Sequence, residues 1–299
     1  MFKFIDFFSG IGGFRMGLEE NGFIPVGFCE NNPNAIKAYT EIYNTNNEYF
    51  SNDIKSITGA ELPYADIWAF GFPCQDISSQ NKEQKGLNGK RSGLFFEVIR
   101  LLQERDMERK GNPTILFIEN VQRLLQIHRG KDFYKVLQTL DKQGYDVEWR
   151  VFNSSTFGVP QNRPRVFLIG YNRKKCKPRP ILNTIKPPCN KGTIIYSKWE
   201  YNTTFENAKH VFSPEGITRC LLANIGSKKM IETENGVRFF TPLEYLRIQG
   251  FPDWVYDKIK DSVPHNQIYC LAGNAVSVPV IKAIGAKIKE YLEKVEYEY

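Results

Sequence analysis

Cys74 is the first residue whose surroundings suggest chemistry. It sits in Gly71-Phe72-Pro73-Cys74-Gln75, after an apolar run from Ile67 to Phe70 that reads as a buried strand and before a polar, glycine-bearing stretch from Asp76 to Ser92. A cysteine just past a strand end, stiffened by proline and opening onto a loop, is placed for nucleophilic attack. Alone, the pentapeptide fits a small buried hydrophobe equally well. A carboxylate recurs in a similar place: Pro113 to Ile118 reads as another buried strand and ends in Glu119-Asn120. A third feature resembles a ligand pocket. Phe4 to Phe8 reads as a strand, followed by Ser9-Gly10-Ile11-Gly12-Gly13 and an amphipathic helix to about Asn21. Strand, glycine turn and helix open a nucleotide-binding βαβ unit, but Arg15 occupies the third glycine position of G-x-G-x-x-G. The glycines therefore suit close backbone approach to a ligand without a pyrophosphate. Pro25 to Cys29 forms a second strand ending in Glu30, and Asn32-Pro33 caps the next helix with Pro33 at its first position. Glu30 is placed to accept from both ribose hydroxyls. Asp53, closing a short third strand, could accept from an adenine amino group. Either acid also reads as a plain cap or turn residue.

The elements that must position these groups alternate. Leu94, Phe95, Val98, Leu101 and Leu102 mark one face of a helix from Gly93 to Arg105, and Phe133, Val136, Leu137 and Leu140 mark another stopped by Gly144. Strands at about Tyr145 to Phe152 and Arg165 to Gly170 follow, joined by a turn with Gly158 and Pro160. The pattern predicts an α/β fold with a mostly parallel sheet, an antiparallel strand being admitted at its end. Ligands then bind beyond the carboxyl ends of the strands, which puts the Gly10 turn, Glu30, Asp53, Cys74 and Glu119 on one rim. From Tyr171 the chain turns basic and proline-rich, with no clear helix as far as about Gly236. The expected division is a catalytic and cofactor-binding domain over 1–170, a small loop-rich domain over 171–237 and a return segment over 238–299. The last contains a helix from Thr241-Pro242 to Gly250, a tight turn at Gly273 to Pro279 and a long final helix.

Composition sets outer bounds. The 299 residues are 41% hydrophobic, enough for one large domain and a smaller one. No apolar run reaches the roughly 20 residues that span a bilayer. The first residues, with Asp6 so early, read as a strand and not a signal peptide, so the cytoplasm is the expected compartment. Six cysteines without a CxxC pair and three scattered histidines argue against a disulfide framework and a zinc site. Net charge is +7, yet residues 149–198 hold eleven basic residues and no acid, leaving the rest of the chain at −4. Such a segment suits a polyanion-facing surface, or else a solvated basic linker.

Taken in order, the blocks resemble the DNA (cytosine-5) methyltransferase family of bacterial or phage type. They are Phe4-Ile5-Asp6-Phe7-Phe8-Ser9-Gly10-Ile11-Gly12-Gly13-Phe14, Gly71-Phe72-Pro73-Cys74-Gln75, Glu119-Asn120-Val121, Gln161-Asn162-Arg163-Pro164-Arg165, Arg247-Ile248-Gln249-Gly250-Phe251-Pro252 and Gly273-Asn274-Ala275-Val276. Each is short; their order and spacing over nearly the whole chain carry the match. The resemblance implies a Rossmann-like S-adenosylmethionine-dependent fold, with 171–237 as target-recognition domain. It further implies attack of Cys74 on cytosine C6, Glu119 at the N3 edge, and methyl transfer to C5 on a base flipped out of the duplex. Arg163 and Arg165 could hold the base carbonyl, the Glu119 carboxylate or a phosphate. For the cofactor it implies Phe8, Gly10, Gly12, Gly13, Glu30, Asn31, Asp53, Ile54, Phe72, Pro73, Leu94, Asn274 and Ala275, which requires the final helix to pack back on the first domain.

DNA would be met by Gln75, Ser78, Lys82 and Arg91 on a closing loop hinged at Gly86, Gly89 and Gly93, by Gln161, and by Thr218, Arg219, Asn224 and Lys228 in the recognition domain; Leu221 and Lys229 are further candidates there. Two positions depart from the family. Leu243 stands where many members carry arginine before the glutamate of that helix, and Asn31 where several place an apolar group against adenine. Double-stranded DNA is the expected partner of a monomer, and a cognate restriction endonuclease is a partner that the class admits. Three rivals remain open: an RNA cytosine-5 methyltransferase, disfavoured by Phe72 before Pro73; a catalytically silent DNA-binding protein; and a nicotinamide dehydrogenase, whose fingerprint Arg15 breaks.

Overall fold

The computed structural model describes residues 1–73, 93–198, 210–224, 226 and 228–296. The chain begins with β1 (Lys3–Phe7), α1 (Gly13–Glu19), β2 (Ile24–Cys29), α2 (Pro33–Ile42), β3 (Tyr49–Ser51) and β4 (Ile67–Gly71). It continues with α3 (Leu94–Met107), β5 (Ile115–Val121), α4 (Lys131–Lys142), β6 (Tyr145–Asn153), β7 (Gln161–Asn162) and β8 (Pro164–Asn172). Seven of these strands form one sheet in the order β3-β2-β1-β4-β5-β8-β6. Pairing is parallel from β3 to β5, and β8 runs antiparallel to both β5 and β6. Both faces are covered, which is why the central strands are continuous apolar runs: Ile67, Trp68, Ala69 and Phe70 are all fully buried. One face packs Phe7, Trp68, Phe70, Leu116 and Leu168 against α3 and α4. The other packs Phe4, Ala69, Phe117 and Ile169 against α1 and the last helix.

The remaining elements are β9 (Tyr196–Lys198), β10 (His210–Phe212), β11 (Thr218–Arg219), β12 (Met230–Thr233) and β13 (Gly236–Phe239), then α5 (Pro242–Gln249), α6 (Asp253–Ile259), α7 (His265–Asn274) and α8 (Val278–Glu296). A second sheet has the order β13-β12-β10-β9, and β11 pairs with β7. Phe212, Leu221 and Phe240 share a core with α5, α6 and α7, and with Phe28 and Tyr39 of the first sheet's outer layer. Local signals act as expected at two helix starts. Asn32 accepts from the amides of Asn34 and Ala35 to cap α2, and Thr241 with Glu244 forms a capping box on α5. Glu244 is also gripped by both terminal nitrogens of Arg238 on β13, at 2.8 Å each, so this helix gains an arginine partner although Leu243 precedes the glutamate.

Three expectations need correction. Gly273 and Asn274 are not in a turn: they end α7, and the helix breaks only over residues 275–277. The sequence reading also missed α6 and α7, short helices whose apolar faces are too brief to show a period. The basic stretch is only partly engaged within the fold: Arg163 is buried and Arg150, Arg165 and Lys175 half-buried, while Arg173, Lys174, Lys177, Arg179, Lys186 and Lys191 are exposed. Arg150 donates to the carbonyls of Leu182 and Ile185, Arg173 pairs with Asp141 and Asp146, and Lys174 pairs with Asp106. Within residues 173–185, Cys176, Ile181, Leu182 and Ile185 are buried in the core beside α8. Among the described residues no single helix is long and apolar enough to cross a membrane.

Lys229 is fully buried, its ammonium 5.9 Å from the Phe212 ring centre and without a hydrogen-bond partner among the described residues. Burial pushes its pKa down from 10.5 to about 8, so the unfolded chain holds this proton more tightly than the folded one. Its contribution to stability therefore improves as pH rises between those two values. Lys229→Met is expected to raise stability at pH 7 by roughly 3 kcal/mol, at about 1.4 kcal/mol per pKa unit. That advantage should shrink through the same pH window. Urea unfolding at pH 7 and at pH 10 measures both, and a variant no more stable than wild type at pH 7 would contradict the assignment.

Candidate active site

The strand order turns back at β1, whose two neighbours are β2 and β4. Open α/β sheets bind ligands at such a reversal, beyond the carboxyl ends of the strands. A cavity of about 1340 Å3 lies there. Phe8, Gly10, Gly13, Glu30, Asn31, Asp53, Ile54, Phe72, Pro73, Leu94, Asn274 and Ala275 line it together with Glu119, Arg163 and Arg165. Gly12 is the one expected cofactor residue that does not line it. Cys74, Gln75, Ser78, Lys82 and Arg91, with the hinge glycines 86 and 89, lie outside the described residues.

At the mouth of β1, Phe8 adopts a left-handed backbone conformation with φ +55°. For an aromatic residue this costs about 1–2 kcal/mol, strain of the kind found where a backbone serves a ligand. Its amide neighbour Ser9 donates to Cys29 O, and Gly10 N donates to Glu30 Oε2 at 2.8 Å, so the glycine turn is tied to the end of β2. The other Glu30 oxygen accepts from the amides of Asn31 and Asn32. Asp53 accepts from Lys55 N through Oδ1 alone. Gly13 must be glycine for a packing reason. A Cβ there would fall 2.7 Å from Val276 Cγ2, so α1 and the residues after α7 touch backbone to side chain.

Glu119 stands opposite Gly71 in the β4–β5 pairing, and a Cβ on Gly71 would lie 3.2 Å from its Oε2. Only 9% of Glu119 is exposed. Burial raises its pKa, while Arg165, whose Nε lies 3.0 Å from Oε1, and Arg163 pull it back down; the net direction is upward. Asn120 donates to Phe72 O at 3.0 Å and accepts from Val121 N, fixing the chain where it leaves β4 toward residue 74.

The two arginines divide their work. Arg165 takes the carboxylate. Arg163 is 3% exposed and donates to the carbonyls of Leu221, Gly273 and Ala275. Both also reach Cys220 Sγ, at 3.2 Å from Arg163 and 3.5 Å from Arg165. Burial alone would push the Cys220 thiol up; the two guanidiniums outweigh it, and its pKa is lowered. Cys220 and the neighbouring Leu221, Leu222 and Ala223 line the cavity, and the sequence assigned a role to none of them but Leu221.

Two residues expected to meet DNA are instead internal. Gln161 is fully buried: its Oε1 accepts from Leu221 N, and its Nε2 donates to Ile248 O and Gln249 Oε1. Thr218 is buried as well, its hydroxyl donating to Arg219 O. Lys229, a further DNA candidate, is the buried amine described above. Arg219 stacks over Tyr196 at 5.0 Å, and Lys228 bonds Asn266 and lies 4.5 Å from the Tyr269 ring centre. Asn224 is exposed at the cavity rim.

Comparison with known proteins agrees with this arrangement. The sequence model of the family described as C-5 cytosine-specific DNA methylase matches residues 2–213 and 190–290. The chain is 31% identical over 324 residues to the Type II methyltransferase M.DsaV of Dactylococcopsis salina, covering 99% of this chain and 88% of that one. It is 33% identical over 311 residues to the Type II methyltransferase M.NgoBI of Neisseria gonorrhoeae, covering 95% and 92%. The solved structure of the Entamoeba histolytica methyltransferase EhMeth matches with a TM-score of 0.75 at 19% identity, covering 98% of this chain and 99% of that one, a likeness of fold.

Arg163 is expected to be indispensable to assembly of the cavity. Arg163→Met removes the arginine donor from three buried carbonyls, of which Leu221 O keeps only the Cys220 thiol, and should cost about 3 kcal/mol or more. Urea unfolding checks this, and a variant as stable as wild type would show that those carbonyls find other donors.

Proposed function

Since the chain belongs to the C-5 cytosine-specific DNA methylases, we propose that it transfers a methyl group from S-adenosylmethionine to C5 of cytosine within one short sequence of double-stranded DNA. The observation that carries the mechanism is Glu119, buried, raised in pKa and paired with Arg165 on the wall of the cavity that Pro73 enters.

The cavity suits an adenosine-type cofactor. Its donor and acceptor set is a carboxylate oriented by backbone amides at Glu30, a second carboxylate at Asp53, and a glycine turn whose Gly10 and Gly13 line the wall. When bound, S-adenosylmethionine supplies a methyl group on a positively charged sulfur. Glu30 would accept from the ribose hydroxyls and Asp53 from the adenine amino group, with Phe8, Ile54, Phe72 and Leu94 as apolar walls. Phe72 is itself held against Phe95 at 5.2 Å.

Cys74 is the proposed nucleophile. Its sulfur bonds C6 of the cytosine, and the ring's electron pair moves toward C5, which alone is too poor a nucleophile to react. Glu119, whose pKa burial raises, shares a proton with N3 and stabilises the charge that develops on the ring; Arg165 fixes its orientation. Loss of the C5 proton and departure of the Cys74 sulfur complete the reaction. A stacked base is out of reach of the cavity, so the cytosine must leave the duplex, at a cost of a few kcal/mol that DNA contacts offset. Residues 171–237 are the proposed recognition domain, with Arg219, Asn224 and Lys228 retained as its candidate contacts, and 238–299 the return segment. A monomer completes the reading, with a cognate restriction endonuclease as a partner that the class admits.

The decisive experiment is base-resolved mapping of 5-methylcytosine on unmethylated DNA incubated with protein and S-adenosylmethionine, with transfer RNA in parallel. Modification is expected at one short DNA sequence, absent with Cys74→Ser and slowed about 10²–10⁴-fold with Glu119→Gln. A folded wild-type protein that binds cofactor yet leaves every DNA cytosine unmodified would overturn the proposal. Activity surviving in Cys74→Ser would remove the covalent step.

A further inference from the structure

The glycine turn is gripped at both ends by side chains from outside it. Glu30 holds Gly10 N, as described. At the other end the Tyr43 hydroxyl, one residue past α2, lies 2.8 Å from Gly12 O and 3.4 Å from Ile11 O. Gly12 is left-handed at φ +79° and precedes α1 without any side-chain cap. A Cβ on it would fall 2.3 Å from Tyr43 Cε2, so the aromatic ring occupies the space that the missing side chain leaves. Tyr43 is braced in turn by Arg15. That guanidinium, 3% exposed, lies 4.4 Å from the Tyr43 ring centre, pairs with Glu19 at 3.1 Å and with both oxygens of Glu48 at 2.9 Å, and donates to Asn44 O. Arg15 is the residue that breaks the dinucleotide pattern, and nothing in the proposed reaction uses it.

We infer that Tyr43, braced by Arg15, is a positioning residue that sets the backbone shape of the Gly10–Gly13 turn for the cofactor. The inference rests on the S-adenosylmethionine reading above. Gly12 O also accepts from Met16 N at 2.8 Å, so deleting the hydroxyl leaves this carbonyl a donor, and the longer 3.4 Å contact to Ile11 O is the lesser loss. What it releases is the orientation of the turn.

The test is calorimetric binding of S-adenosylhomocysteine to the full chain, with steady-state methylation of DNA alongside. Tyr43→Phe should raise the Kd for S-adenosylhomocysteine and the KM for S-adenosylmethionine by roughly fivefold to tenfold, the loss of one net hydrogen bond, with kcat within about twofold and melting unchanged. Arg15→Gln should weaken binding in the wild-type background and much less in the Tyr43→Phe background, because it acts through the same hydroxyl. Unchanged affinity in Tyr43→Phe, a loss in kcat with KM unaffected, or additive effects of the two substitutions would each overturn the inference. Wild-type protein that fails to bind S-adenosylhomocysteine would instead overturn the cofactor reading on which it rests.

Discussion

A buried guanidinium needs partners, and Arg163, itself at the junction of β7 and β8, finds those of its terminal nitrogens on two other stretches of chain. Taking such a charge out of water costs several kcal/mol unless its donors are satisfied in good geometry. Here they reach the carbonyls of Leu221, Gly273 and Ala275. The junction of β7 and β8, the strand-to-loop passage after β11 and the end of α7 are thereby drawn to one point. A second knot lies beside it: Gln161, Gln249 and Ser277 are hydrogen-bonded in series, and Ser277 meets Ser154 at 2.6 Å. Each group in that buried network depends on the others for its partner, so the arrangement is more specific than apolar contact would be. Because Gly273 to Val276 is held in this way, the last third of the chain can close a cavity whose floor is formed by the first third.

That closure decides the electrostatics. Glu119 would be an ordinary carboxylate beside an arginine if the cavity were open, and Arg165 would hold it ionised. With 9% of it exposed, burial outweighs the ion pair and the direction of the shift reverses. The same enclosure acts on Cys220 with the opposite result, since two guanidiniums converge on its sulfur and outweigh burial. The same pair of arginines thus loses to burial at the carboxyl and prevails over it at the thiol, two groups that both line the cavity wall and lie far apart in sequence. Coulombic terms of this size exist only where water is excluded.

Features that depend on local chemistry were legible in the sequence. Apolar runs followed by glycine or an acid gave β1, β4 and β5 and the ends that bear on the cavity. Asn32-Pro33 announced α2, and the alternation of elements gave the mostly parallel sheet. What escaped was the set of partners that folding brings from afar. Gln161 stands with Asn162 just ahead of two arginines, and a polar residue so placed reads as facing a ligand; its three hydrogen-bond partners lie 60 to 88 positions away. Arg163 and Arg165 are two residues apart and were indistinguishable by type, yet one serves the architecture and the other the carboxylate. The brevity of α6 and α7 left no period to detect, and Asn120, in plain view within its block, gave no hint that it would hold Phe72 O.

The charge of residues 149–198 shows how far composition can mislead and where it still informs. Eleven positive groups with no acid invite a single polyanion surface. Arg150, Arg163 and Arg165 are instead committed to carbonyls and a carboxylate within the fold, whereas Arg173 and Lys174 pair with carboxylates at the surface and stay exposed. Lys177, Arg179, Lys186 and Lys191 remain exposed on a segment that is anchored by Cys176, Ile181, Leu182 and Ile185. Exposed charges on a rigid support hold a fixed geometry, whereas a solvated linker would spread them over many. Any attraction this surface exerts on a polyanion is therefore directional, and it acts from the body of the large sheet as well as from the smaller β9–β13 unit.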